Sequence, residues 1–151
     1  MIKRLLLGTA TLLVVLYALA LIITIDPEER RPGTRLSGHI SDIPPDFSQL
    51  PQREKVWVQA STWYGVPHSV TTVSFHIDDA FYVPCGWCAT KRWPKHVARN
   101  PQVLLKIGDT LYPRTAVLIQ DPQEVDALLS RRAADFNATG VYLYRMDPPA
   151  S

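Results

Sequence analysis

The chain has 151 residues, 16 of them basic and 14 acidic, for a formal charge of +2. Once the N-terminus is set aside, this leaves one domain of ordinary size. Lys3 and Arg4 account for the whole net charge, because residues 26–151 hold equal numbers of basic and acidic side chains. A neutral domain lacks the broad basic footprint of a nucleic-acid binder, so no nucleic-acid partner is expected.

Leu5 to Ile25 carries no charge. At about 1.5 Å per residue it spans a hydrocarbon core of roughly 30 Å, so residues 1–25 are predicted to be a transmembrane anchor. Lys3 and Arg4 in front of it favour an N-terminus in the cytoplasm. The expected localisation is therefore the inner (cytoplasmic) membrane, crossed once, with the C-terminal domain on the outer, periplasmic side. The alternative is a cleaved signal peptide, since Ala18-Leu19-Ala20 resembles a cleavage site. The apolar run, however, continues past it, and both readings export the domain.

Residues 26–52 are rich in Pro, Arg and Asp and show no apolar period, which predicts a tether. A domain over 53–147 and a tail at 148–151 follow. Within the domain, Val56-Trp57-Val58 with Ala60 and Trp63 reads as a strand, and core packing is the simplest use of Trp57 and Trp63. Val70–Ile77 is strongly β-prone, Asp78-Asp79 reverses it, and Ala80–Pro84 returns beside it. Gln102–Ile107 and Leu111–Ile119 form a second hairpin about Gly108-Asp109, with Pro113 marking an edge or bulge. Asp121-Pro122-Gln123-Glu124 is a helix start, and Val125, Leu128, Leu129 and Phe136 give that helix an apolar face. Val141–Met146 is the last strand. The fold class is mainly β: a small antiparallel barrel with two helices.

Function is expected in Phe81–Pro101, FYVPCGWCATKRWPKHVARNP. A strand turns through Cys85-Gly86-Trp87-Cys88 into a short basic helix bearing Lys91, Arg92, Lys95 and Arg99, with Lys106 just beyond. No carboxylate lies between Asp79 and Asp109. A turn feeding a cationic helix start suits an anion, although the same cations serve equally as a solvated face or meet anionic lipid. Cys85 and Cys88 read either as a redox pair or as a structural disulfide. Trp87 is the tryptophan best placed for ligand contact. His76 and His96 read as hydrogen-bonded structural histidines, and the four histidines lack ligand spacing, so no metal is expected.

The stretches TTVSFHIDDAFYVP and KRWPKHVARNPQVLLKIGDTLYPRTAVLI and the DPQE helix start resemble the split β-barrel flavin-binding superfamily, the pyridoxamine-phosphate oxidases and their kin. Within it they are most similar to the deazaflavin-dependent nitroreductase/quinone reductase branch. Trp93, Arg99-Asn100-Pro101, Val103, Gly108, Tyr112 and Ala116 carry the likeness. The resemblance implies FMN or a deazaflavin as an anionic cofactor, with Lys91, Arg92 and Lys95 toward its phosphate, Trp87 in contact and Trp93 packing at the helix. It also implies a homodimer and a quinone or nitro-compound as acceptor. The runner-up readings are a non-catalytic envelope module that binds a partner or lipid, and a thiol-disulfide protein using Cys85 and Cys88.

Overall fold

The computed structural model describes residues 2–43, 45–132 and 140–149, without the side chains of residues 2, 5 and 48. Seven strands follow an N-terminal helix α1 (Ile2–Ile22): β1 (His39–Ile40), β2 (Glu54–Ala60), β3 (His68–Ile77), β4 (Ala80–Gly86), β5 (Gln102–Ile107), β6 (Thr110–Ile119) and β7 (Val141–Asp147). Helix α2 (Trp93–Val97) lies between β4 and β5, and α3 (Pro122–Arg132) between β6 and β7. Strands β6-β5-β2-β3-β4-β7 pair in that order, and β7 pairs back to β6, closing a six-stranded antiparallel barrel. Strand β1 adds to β6 in parallel.

Local chemistry explains the closure. Along β2 the alternating Val56, Val58 and Ala60 are fully buried, and Phe81, Val83 and Cys85 of β4 join them in the barrel interior. Two-residue turns set both hairpin registers, pairing Ile77 with Ala80 and Ile107 with Thr110. Asp78 (φ 52°) and Gly108 (φ 58°) supply the left-handed residue such turns need. At Pro113 the strand has only β5 beside it, so the missing N–H costs no ladder bond.

Helix α3 starts as expected, with Asp121 Oδ1 accepting the Gln123 N–H at 2.9 Å. Its Val125 and Leu129 pack outside the barrel on Phe75, Tyr82, Ile119 and Leu143. The expected contribution of Phe136 lies outside the described residues.

The barrel is split between β3 and β4. These strands pair only from Phe75↔Tyr82 to Ile77↔Ala80. Beyond that point β3 keeps β2 and β4 keeps β7, and the two diverge.

Residues 26–37 are bound to the barrel rather than trailing from it as a loose tether. Gly33 exchanges backbone hydrogen bonds with Ser69 (2.9 and 3.1 Å) on the β3 edge that β4 has left. The Pro27 carbonyl accepts from Trp57 Nε1 and Thr71 Oγ1. Lys106 Nζ, 5% exposed, donates to Asp26 Oδ2 and Ser37 Oγ, both at 2.8 Å. Lys106 is therefore a structural cation and not part of the basic run.

Trp63 corrects the expectation of core packing. Strand β2 ends at Ala60, which leaves Trp63 in the β2–β3 loop and 79% exposed. Trp57 is half-buried beneath Pro27. In α1 the side chains from Leu6 to Ile22 are mostly apolar and exposed. Among the described residues, no helix is long and apolar enough to cross a membrane.

Candidate functional site

Where β3 and β4 part, the CGWC turn and the residues after it form one wall of a cleft of about 660 Å³. Trp87, Lys91, Arg92 and Trp93 stand on that wall, His68, Val70, Thr71 and Thr72 of β3 face them, and Glu29–Pro32 closes the rim. Four of the five side chains expected at a cofactor thus converge. Lys95 does not: it is exposed on α2, away from the cleft.

The wall is rigid for a local reason. Cys85 and Cys88 form a disulfide across the turn, and Trp87 between them takes a left-handed conformation (φ 49°, ψ 41°) that turns its ring outward, 84% exposed. Thr90 Oγ1 donates to the Trp87 carbonyl at 2.8 Å. Trp93 then drops into the barrel core, 3% exposed, with its ring centroid 4.9 Å from that of Tyr144. Burial, then the neighbouring Tyr142, pushes the Tyr144 phenol up to about 12, so it stays protonated. Trp93 is therefore a positioning residue that pins Lys91 and Arg92 at the cleft.

Both half-cystines belong to the barrel core, at 1% and 2% exposure. Thiol exchange needs an attacking thiolate to reach a sulfur, and these are shielded. The pair acts as a staple here, and its shielding counts against the thiol-redox reading although Lys91 and Arg92 follow closely.

Lys91 and Arg92 are exposed, and among the described residues neither makes an ion pair. Their charge is left for a ligand. Glu29 on the rim opposes an anion, but Arg30 and Arg31, which follow it, also line the cleft and restore a positive balance. No group of three or more His, Cys, Asp or Glu side chains converges for a metal ion among the described residues.

His68 and His96 lie with ring centroids 5.4 Å apart. Burial lowers the His68 pKa, helped by His96 and Arg92, and burial with Arg99 and Arg92 lowers that of His96. His96 Nδ1 is buried without a hydrogen bond, contrary to the expected structural role. His76 Nε2 has Gln52 Nε2 at 3.3 Å, while its Nδ1 is also unpartnered. Because the folded chain holds His68 and His96 neutral longer than the unfolded chain does, stability falls as pH drops below about 6.5, down to the lowered values of the pair. Thermal melts of the full chain should show this slope, and His68→Gln/His96→Gln should flatten it. An unaltered slope in the double variant would assign the acid lability elsewhere.

The facing wall was not foreseen from sequence. Thr71-Thr72, two polar positions in succession on a β-prone run, is the one signal that could have pointed to it. Glu29–Pro32 gives none, since its composition reads as a spacer.

No protein-family model matches the sequence, and no curated protein does. Solved structures do match. A Listeria innocua protein named for pyridoxamine 5′-phosphate oxidase is 17% identical over 69% of this chain and 88% of its own, with a TM-score of 0.54. A Bacteroides thetaiotaomicron protein named for 5-nitroimidazole antibiotic resistance is 14% identical over 63% of this chain and 72% of its own, with a TM-score of 0.51. The haem storage protein HutZ of Vibrio cholerae is 13% identical over 70% of this chain and 87% of its own, with a TM-score of 0.50. Identities this low speak for architecture alone, and that architecture is a closed six-stranded antiparallel barrel parted between β3 and β4, a split β-barrel of the kind found in these proteins.

Proposed function

We propose that this chain is a membrane-anchored split-barrel oxidoreductase that binds FMN or a deazaflavin in the cleft between β3 and β4. The observation that carries the reading is the convergence of Trp87, Lys91 and Arg92 on a cleft of suitable size, the two cations having no ion-pair partner among the described residues. Charge-assisted bonds from Lys91 and Arg92 would hold the phosphate, and the outward Trp87 ring offers a face for an aromatic system. The cofactor would supply the hydride chemistry, with a quinone or nitro-type small molecule as acceptor. This chain's part is to bind, to orient and, through the 29–32 rim, to limit access of water. The homodimer that the resemblance implies belongs to the same reading.

The anchor is part of this proposal. Its support is the uncharged run Leu5–Ile25 and the helical state of α1 with its exposed apolar side chains. The domain would then lie on the periplasmic side of the inner membrane.

Titration of the detergent-solubilised full chain with FMN and with riboflavin tests the cleft. FMN should bind more tightly, and Lys91→Ala/Arg92→Ala should weaken FMN by about 10- to 100-fold, the size expected for lost hydrogen bonds to a charged group, while leaving riboflavin unchanged. Equal loss of both ligands, or none, would remove the phosphate role. A second reading, a non-catalytic lipid- or partner-binding module, draws on Lys95 and Arg99, which are exposed away from the cleft.

A further inference from the structure

Trp63 and Tyr64 form a pair of exposed aromatic residues at the tip of the β2–β3 loop, 79% and 41% exposed, with their rings edge-on at 5.4 Å. The loop leans on α1. Tyr17 Oη donates to the Tyr64 carbonyl at 2.5 Å. A Cβ built at Gly65 would lie 3.3 Å from both Leu21 Cδ2 and Tyr17 Oη. Tyr17 is five residues before the end of α1 at Ile22, or roughly 8 Å along the axis. The uncharged run continues to Ile25. The tip of the loop therefore stands abreast of the apolar segment and not beyond its end.

If α1 spans a bilayer, the last ~5–10 Å of its apolar run lie at the boundary of headgroups and acyl chains. Trp and Tyr concentrate at that depth, because their rings are apolar and their N–H or O–H stays near water. The Tyr17 hydroxyl also satisfies a loop carbonyl that would otherwise meet lipid unpaired. Tyr64 also neighbours His96 of α2, at 6.5 Å between ring centroids. Lys95 and Arg99, on either side of His96 in sequence, are exposed and make no ion pair among the described residues. The aromatic tip thus touches α1 through Tyr17 and Leu21 and lies near His96, in the stretch that carries the exposed Lys95 and Arg99.

We infer that the β2–β3 loop is a second membrane contact: Trp63 and Tyr64 enter the bilayer interface beside α1, and Lys95 and Arg99 meet anionic headgroups. The inference rests on the anchor reading proposed above. It requires nothing of the cleft, since Trp63, Tyr64, Lys95 and Arg99 do not line it.

The test reconstitutes the full chain into phosphatidylcholine vesicles, with and without phosphatidylglycerol, whose acyl chains are brominated close to the headgroup. Tryptophan emission should be quenched, and Trp63→Phe, a surface change that leaves the core intact, should lose most of that quenching. Stronger quenching in the anionic vesicles, reduced to the zwitterionic level by Lys95→Gln/Arg99→Gln, is the expected headgroup signature. Equal quenching in the two lipids would overturn the headgroup role. A chain that floats with the vesicles but whose quenching is unchanged by Trp63→Phe would overturn the loop contact and leave the anchor standing. A chain that does not float with vesicles at all would overturn both.

Discussion

Trp93→Ala is expected to destabilise the chain by about 3–5 kcal/mol, the range for emptying a buried tryptophan site, and to abolish FMN binding although the residue is almost wholly buried. Helix α2 has five residues, too few to persist without tertiary support. Its support is Trp93 and Val97, both set into the barrel core. With the Trp93 ring gone, Tyr144 loses its neighbour at 4.9 Å, and the stretch that carries Lys91 and Arg92 loses its anchor. Trp93→Phe retains an aromatic contact and should recover most of both properties. Denaturant melts and FMN titrations on the two variants provide the check. Trp93→Ala with normal stability and lost affinity would instead make Trp93 a direct ligand contact.

Asp26→Asn should cost about 1.5–3 kcal/mol, the range for hydrogen bonds to a charged group, because the Asp26 carboxylate is partly open to water, and the asymmetry with its partner is the informative part. Lys106 is 7% exposed at its side chain against 35% for Asp26. Neutralising Asp26 leaves an ammonium in the protein without its counter-charge. Removing the ammonium leaves a carboxylate that water can still reach. Lys106→Met should therefore cost less than Asp26→Asn, and the double variant less than Asp26→Asn alone. Acid should mimic the asparagine. Burial alone would raise the Asp26 carboxyl, but bonds from Lys106 and Ser37 and the Lys106 charge outweigh it and hold the carboxyl below its ordinary 3.8. The stabilisation is then fully present above about 3.8 and is lost as pH falls through the lowered value. Hydrogen exchange at the Gly33 and Ser69 amides reports whether residues 26–37 lift off the barrel in each variant. Unchanged protection in Asp26→Asn would show that the backbone pairing holds this segment without the ion pair.

The barrel was legible because its strands obey local rules. Val56, Val58 and Ala60 alternate, and Asp78-Asp79 and Gly108-Asp109 are two-residue turns that fix register within a few residues. One wall of the cleft was legible too, since Trp87, Lys91, Arg92 and Trp93 are near neighbours in sequence. The opposite wall was not, because it depends on where β3 and β4 diverge, and pairing distance is not written in either strand's composition. Residues 26–37 read as a spacer because their bonds are long-range or made by backbone: an ion pair 80 positions apart, one shared carbonyl and two bonds from a glycine. Trp63 misled for another reason. An aromatic residue after a strand reads as core, and only the position of the strand's end shows it to be outside.

Gly33 carries a consequence for how such a chain can change over time. A Cβ at that position would lie 2.1 Å from the Ile25 carbonyl oxygen and 2.7 Å from the Pro27 nitrogen, both main-chain atoms that cannot swing aside as a side chain can. Every replacement at residue 33 thus forces residues 25–27 and residue 33 apart within the segment itself, whatever its polarity. A stretch whose composition suggests drift without penalty contains a site where any side chain forces main-chain atoms to move, whereas Lys91, Arg92, Lys95 and Arg99, in and around α2, are exposed. Selection on this chain would act most stringently where its composition suggests the least structure.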